Sequence, residues 1–178
     1  MGQADDTTAQ RLRLLQREFV QPGSRGPGDG RTATQVHAPA PLNIGIVDRI
    51  RAAVYEVETH TRASAPEAGR FTGEAERVYD WARQHTAHLE PERQAVREAL
   101  IYRQGLEHAI AAGDTDVVTR HPCPGCGCWG MYWDRNEGEA FCVNRYCVDD
   151  AGLSRTWSLA HIAQQHVARL KSLKSQAT

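Results

Sequence analysis

The stretch Cys123-Pro-Gly-Cys-Gly-Cys-Trp-Gly-Met-Tyr-Trp-Asp-Arg-Asn-Glu-Gly-Glu-Ala-Phe-Cys-Val-Asn-Arg-Tyr-Cys147 decides how the rest of the chain is read. Cys123 and Cys126 form a Cys-x-x-Cys pair, and Cys142 and Cys147 form a second pair fifteen residues further on. Two thiol pairs at this spacing are the pattern of a metal-binding ribbon, in which four thiolates surround one tetrahedral zinc at about 2.3 Å. Pro124, Gly125 and Gly127 shape the first turn so that backbone amides face the sulfurs, which favours the deprotonated ligand. Between the pairs, alternation over Trp129–Asp134 and Glu139–Val143 predicts a β-hairpin turning through Arg135, Asn136, Glu137 and Gly138. A segment this short buries too little apolar surface to fold alone, whereas structural zinc contributes about 10–16 kcal/mol of apparent binding energy. The expected cofactor is therefore one structural Zn2+ held by Cys123, Cys126, Cys142 and Cys147.

Paired cysteines in a chain without a signal-peptide pattern favour metal over disulfides. Cys128 is a fifth thiol that could replace Cys126, although Cys-x-x-Cys spacing favours Cys126 as the ligand. His121 reads as a solvated neighbour of the site.

The flanks divide into a flexible arm and linker (1–41), a helical bundle (42–116), the ribbon (117–150) and a basic C-terminal helix and tail (151–178). In the arm, Leu12, Leu15 and Phe19 allow a short helix with no evident partner, and the Gly- and Pro-rich run after it reads as linker. Asn43 is placed to cap a helix whose stripe is Ile46, Ile50, Val54 and Val57, with Leu42 and Val47 as its staple. Thr72 is the expected cap of a second helix running to about His88, with Ala75, Val78, Ala82 and His85 inward and Trp81 beside them. Pro91 opens a third, ending at Gly113, with Val96, Ala99, Leu100, Leu106, Ala109 and Ile110 inward. Val117 and Val118 read as an extended lead into the cysteines. Ser158 caps the last helix, stapled by Trp157 and Ile162, with Leu159, Ile162, Ala163, Val167, Leu170 and Leu173 as its stripe. The fold class is mainly α with a small β part. The thin stripes of the three-helix bundle suggest that it forms a homodimer or leans on the ribbon.

The whole chain of 178 residues carries a formal charge of −1, which gives no global commitment to nucleic acid. No apolar run is long enough for a bilayer and the N-terminus lacks a signal-peptide pattern, so a cytoplasmic protein with no membrane partner is expected. Charge is uneven, however. From Ala151 onward there is no acidic residue, while Arg155, Arg169, Lys171 and Lys174 give +4. Such a tail suits phosphate contact, and equally suits the dipole of a helix C-terminus. Trp129 and Trp133, beside Arg135 and Arg145, could stack on bases or pack on a partner protein. Against this, five carboxylates outnumber the three arginines between Arg120 and Asp150. The leading expectation is a non-enzymatic ribbon protein that contacts nucleic acid or a transcription or replication protein. A protein–protein adaptor is the alternative.

Two resemblances accompany these readings. His88-Leu89-Glu90 and Pro122-Cys123-Pro124-Gly125-Cys126 resemble the zinc deaminases of nucleobases, which would make His88, Cys123 and Cys126 ligands and Glu90 the acid/base. That resemblance leaves Cys142 and Cys147 without a role. More of the chain, through VYDWARQH (78–85), HPCPGCG (121–127), FCVNRYC (141–147) and TWSLAHIA (156–163), is similar in layout to uncharacterised zinc-ribbon proteins of actinobacterial phages and their hosts. It implies a small phage or prophage accessory protein and carries over no chemistry.

Overall fold

A computed structural model describes the backbone of residues 3–19 and 44–176, with side chains over 8–17 and 45–176. Its helices are α1 (Gln3–Phe19), α2 (Ile44–Ser64), α3 (Val78–His85), α4 (Pro91–Ala111) and α5 (Leu159–Gln176). Three short strands, β1 (Met131–Asp134), β2 (Glu139–Cys142) and β3 (Thr156–Trp157), form one antiparallel sheet in that order. The linker reading of 20–41 and the Leu42 and Asn43 start signals lie outside the described residues.

α4 is the hub, since α1, α2, α3 and α5 all pack on it. One apolar core joins Leu12 and Leu15 of α1 to Ile46, Ile50 and Val57 of α2, Val78, Tyr79 and Ala82 of α3, and Ile101 of α4. The N-terminal helix is thus not partnerless. Gly105 admits it, because a Cβ there would lie 2.5 Å from Thr8 Oγ1, and Arg11 Nη1 donates to the Gly105 carbonyl at 3.0 Å. A second core joins Leu106 and Ala109 of α4 to Met131, Ala140 and the cysteines of the sheet, and to Leu159 and Ile162 of α5. The boundary drawn near residue 116 therefore cuts through a shared core.

The helical interior is partly polar. Gln104 Nε2 donates to Ala53 O (3.1 Å) and Glu56 Oε2 (2.9 Å), leaving its Oε1 to accept from Tyr79 OH at 3.0 Å. With its proton so used, Tyr79 OH accepts from His108 Nε2, also at 3.0 Å, which fixes the tautomer of that ring. Burial holds His108 well below its ordinary range, at about 4, with Arg49, Arg11 and Arg103 adding to the effect. Arg97 is buried where periodicity points to its neighbour Val96, because its guanidinium reaches Thr86 Oγ1 (2.6 Å) and Glu98 (2.7 Å); Val96 is exposed.

Several element boundaries also depart from expectation. Thr72 caps nothing: a 3-10 turn over Ala75–Arg77 precedes α3, which ends at His85. Val117 and Val118 lie in a 3-10 helix, Thr115–Arg120, which buries both where a strand would bury one. α4 ends as read, with Gly113 at φ 94°. Ser158 caps α5, its Oγ accepting from His161 N at 3.2 Å, but Leu170 and Leu173, the last of the stripe, are exposed. No helix among the described residues is long and apolar enough to cross a membrane.

Candidate metal centre and the adjoining cleft

The hairpin register places Met131 opposite Cys142 and Asp134 opposite Glu139, so the turn lies at one end and the thiols at the other. Alternation sends Met131, Trp133, Ala140, Cys142 and Trp157 to the inner face, and Tyr132, Phe141 and Thr156 to the outer one. β3 is too short to show a period in sequence. It pairs Ala140 with Trp157, and its approach is set by Cys142 N donating to Arg155 O and Arg155 N donating to Cys147 O, each at 3.1 Å. The loop between Cys147 and β3 closes on Asp149, whose Oδ1 accepts from Ala151 N and Leu153 N, both at 2.9 Å.

The Sγ atoms of Cys123, Cys126, Cys142 and Cys147 all lie within 4.8 Å of one another. Cys123 to Cys147 and Cys126 to Cys142 are each 3.7 Å apart. Four sulfurs about 2.3 Å from a tetrahedral ion would be about 3.8 Å apart, so the donor set fits one zinc-sized ion, with no position left for water. In the first turn Cys123 N donates to Cys128 O and Gly127 N to Cys123 O, both at 2.8 Å, and Gly127 takes a positive φ of 74°. Gly125 is closely fitted for another reason: a Cβ would stand 3.0 Å from Trp157 Cζ2 and 3.4 Å from Cys147 Sγ, so the indole would have to give way.

Amide donors meet two of the sulfurs, as the turn chemistry requires. The Cys128 backbone N–H, together with the Cys128 thiol and the Asn144 side chain, draws the exposed Cys126 thiol down to about 6. Burial pushes Cys142 up, opposed by the Asn144 backbone N–H, and raises Cys147 to about 11. A cation bound there would displace the protons that burial favours on Cys142 and Cys147. A divalent ion neutralises half the charge of four thiolates, and these amides offset part of the remainder.

Cys128 is outside the quartet but close to it, 3.3 Å from Cys126 Sγ and 3.5 Å from Cys142 Sγ. His121 is not solvated. It is buried, with Nδ1–H donating to Val117 O (3.1 Å) and Nε2 accepting from Tyr102 OH (2.8 Å), so it locks the first cysteine turn to α4. The Tyr102 ring stacks in turn on His166 of α5, centroids 4.0 Å apart at 9°. His88 is exposed beside Glu67 (3.7 Å) and takes no part in the thiol group.

The residues expected to meet a partner separate into several settings. Trp129 is 68% exposed, whereas Trp133 packs against the inner core. Arg135 lies in the hairpin turn, and Arg145 donates to Tyr146 OH (2.5 Å) and covers that ring at 4.7 Å. Arg155 Nε donates to Val148 O (2.8 Å), and Lys171 bridges to Glu92 of α4 (3.0 Å). Arg169 faces a cleft between the first cysteine turn and α5, across from Trp129, and exposed Lys174 lies further along the helix. Tyr132 and Tyr146 are exposed as well. No family model, curated protein or solved structure matches this chain.

Proposed function

We propose that this chain is a non-enzymatic zinc-ribbon protein in which one structural zinc, held by Cys123, Cys126, Cys142 and Cys147, organises a surface that binds nucleic acid. The observation that carries the reading is the segregation of charge around the thiols. Asp134 sits at the hairpin turn, where its Oδ1 accepts from Asn136 N, and Asp149 is spent on the other loop. Among the described residues no carboxylate lines the cleft between the cysteine turn and α5, which carries Arg120, Arg169 and the open face of Trp129. The excess of acid over base counted along the sequence therefore does not describe this surface. A phage or prophage accessory role, in the cytoplasm, is the setting that the sequence resemblance suggests.

A protein–protein adaptor is favoured by a different observation, the outer sheet face with Tyr132 (52% exposed) beside Phe141 and with Tyr146 (76% exposed) nearby. Fluorescence anisotropy of the zinc-loaded full chain against labelled oligonucleotides separates the two. Nucleic-acid contact predicts binding that weakens steeply between 50 and 200 mM salt, by about tenfold for every few phosphates neutralised, and weakens again when Arg169, Lys171 and Lys174 are replaced by alanine. Absence of binding at 50 mM salt would overturn it and leave the adaptor.

A further inference from the structure

The cleft has the features of a site for one unstacked base. Its volume is about 430 Å3, and Trp129, Gln165, His166, Arg120, Arg169 and Leu170 bound it. The indole is open, yet its backbone is fixed, because the preceding residue Cys128 closes the cysteine turn through the bond from Cys123 N. The opposite wall is equally fixed: the His166 ring is held flat on Tyr102, which is itself tied to His121. Ordering either wall on binding therefore costs little. Arg169 makes no ion pair among the described residues, and Arg120 has only an exposed contact to Asp114 at 3.4 Å. Two guanidiniums lining the same cleft as an exposed ring supply the phosphate and stacking contacts that a single strand uses.

From this, and resting on the nucleic-acid reading above, we infer that the cleft selects single-stranded nucleic acid, with one base stacked on Trp129 and the flanking phosphates on Arg120 and Arg169. The exposed amide of Gln165 is placed to meet the edge of that base. A duplex hides its base faces inside the stack and would leave the indole unused. An acidic peptide could satisfy the two arginines, but gains little from a flat, open ring.

The test uses the zinc-loaded full chain with a labelled 15-nucleotide oligo-dT strand and a 15-base-pair duplex at 50 mM salt. Metal content is measured on every variant to verify that the ribbon is intact. The single strand is expected to bind at least tenfold more tightly than the duplex. Trp129→Ala should weaken single-strand binding about 5- to 100-fold and leave duplex binding unchanged, and Trp129→Phe should restore it to within about threefold. Arg169→Gln should lower the log–log salt slope by about 0.7. Equal binding of both oligonucleotides with an inert Trp129→Ala would overturn this inference while the broader reading stands. If neither oligonucleotide binds, both fall. Equal displacement of the strand by poly-glutamate of matched charge would also overturn it, assigning the cleft to acidic peptides.

Discussion

The two cores of this protein are built by different means, although they share α4. The helical core is assembled from many side chains spread over four helices, from Leu12 to Ile101, and contains a buried polar chain running from Glu56 through Gln104 and Tyr79 to His108. The ribbon core sets Leu106, Val117, Val118, Met131, Leu159 and Ile162, with Trp133 and Trp157 packed against them, around the thiol group. In the first, order comes from distributed packing that no single residue commands. In the second, on the proposed reading, order depends on one ion, so that a single ligand change would remove much of what holds the strands together. The contrast teaches where function can sit: the packed half serves as a platform, and the half built around the thiols carries an aromatic residue, Trp129, that is open to solvent.

Removing the ion should separate the halves most sharply. Chelation, or Cys142→Ser, withdraws apparent binding energy on the order of 10 kcal/mol. Amides of Met131–Cys147 should then lose hydrogen-exchange protection while those of α2 and the middle of α4 keep theirs. Equal loss in both halves would show that the helices do not stand without the ribbon. A smaller effect is expected from Leu12→Ala, which opens a cavity under α1 and should cost about 2–5 kcal/mol of helical stability in urea. Zinc stoichiometry should be unaffected. A change near zero would mean that α1 does not contribute to the core.

The smallest effect is a pH dependence confined to the helical half and read in the chelated protein. His108 is held at about 4 when folded, against an ordinary value of 6.5. The unfolded chain therefore binds more protons between these values, and stability falls as pH drops from about 6.5 towards 4. The slope should approach about 1.4 kcal/mol per pH unit for each such group. Urea midpoints at pH 7 and pH 5 check it, and a midpoint that rises on acidification would contradict the buried neutral ring.

Local patterns carried much of this architecture in the sequence. The stripe Ile46, Ile50, Val54 and Val57, the opening of α4 at Pro91 with its stop at Gly113, and the Ser158 cap depend on near neighbours and stand as read. The gathering of four thiols was legible because paired cysteines constrain a ligand set before any fold is known. What stayed hidden depends on distant partners. α1 looked unpartnered because the absent side chain that lets it dock belongs to Gly105, far along the chain. β3 is held by backbone bonds that two residues cannot announce, and His121 is buried by Tyr102 of another helix. The exposure of Leu170 and Leu173 likewise depends on what stands opposite them in space, which periodicity does not reveal.

The central claim, that four cysteines close around one structural zinc, is tested most directly by native mass spectrometry with elemental analysis on wild type, Cys142→Ser, Cys128→Ser and His88→Ala. One zinc per chain in wild type, in Cys128→Ser and in His88→Ala, with loss in Cys142→Ser, is the predicted result. Loss of zinc in His88→Ala together with its retention in Cys142→Ser would contradict the closed thiolate site and reopen the water-bearing site of a deaminase.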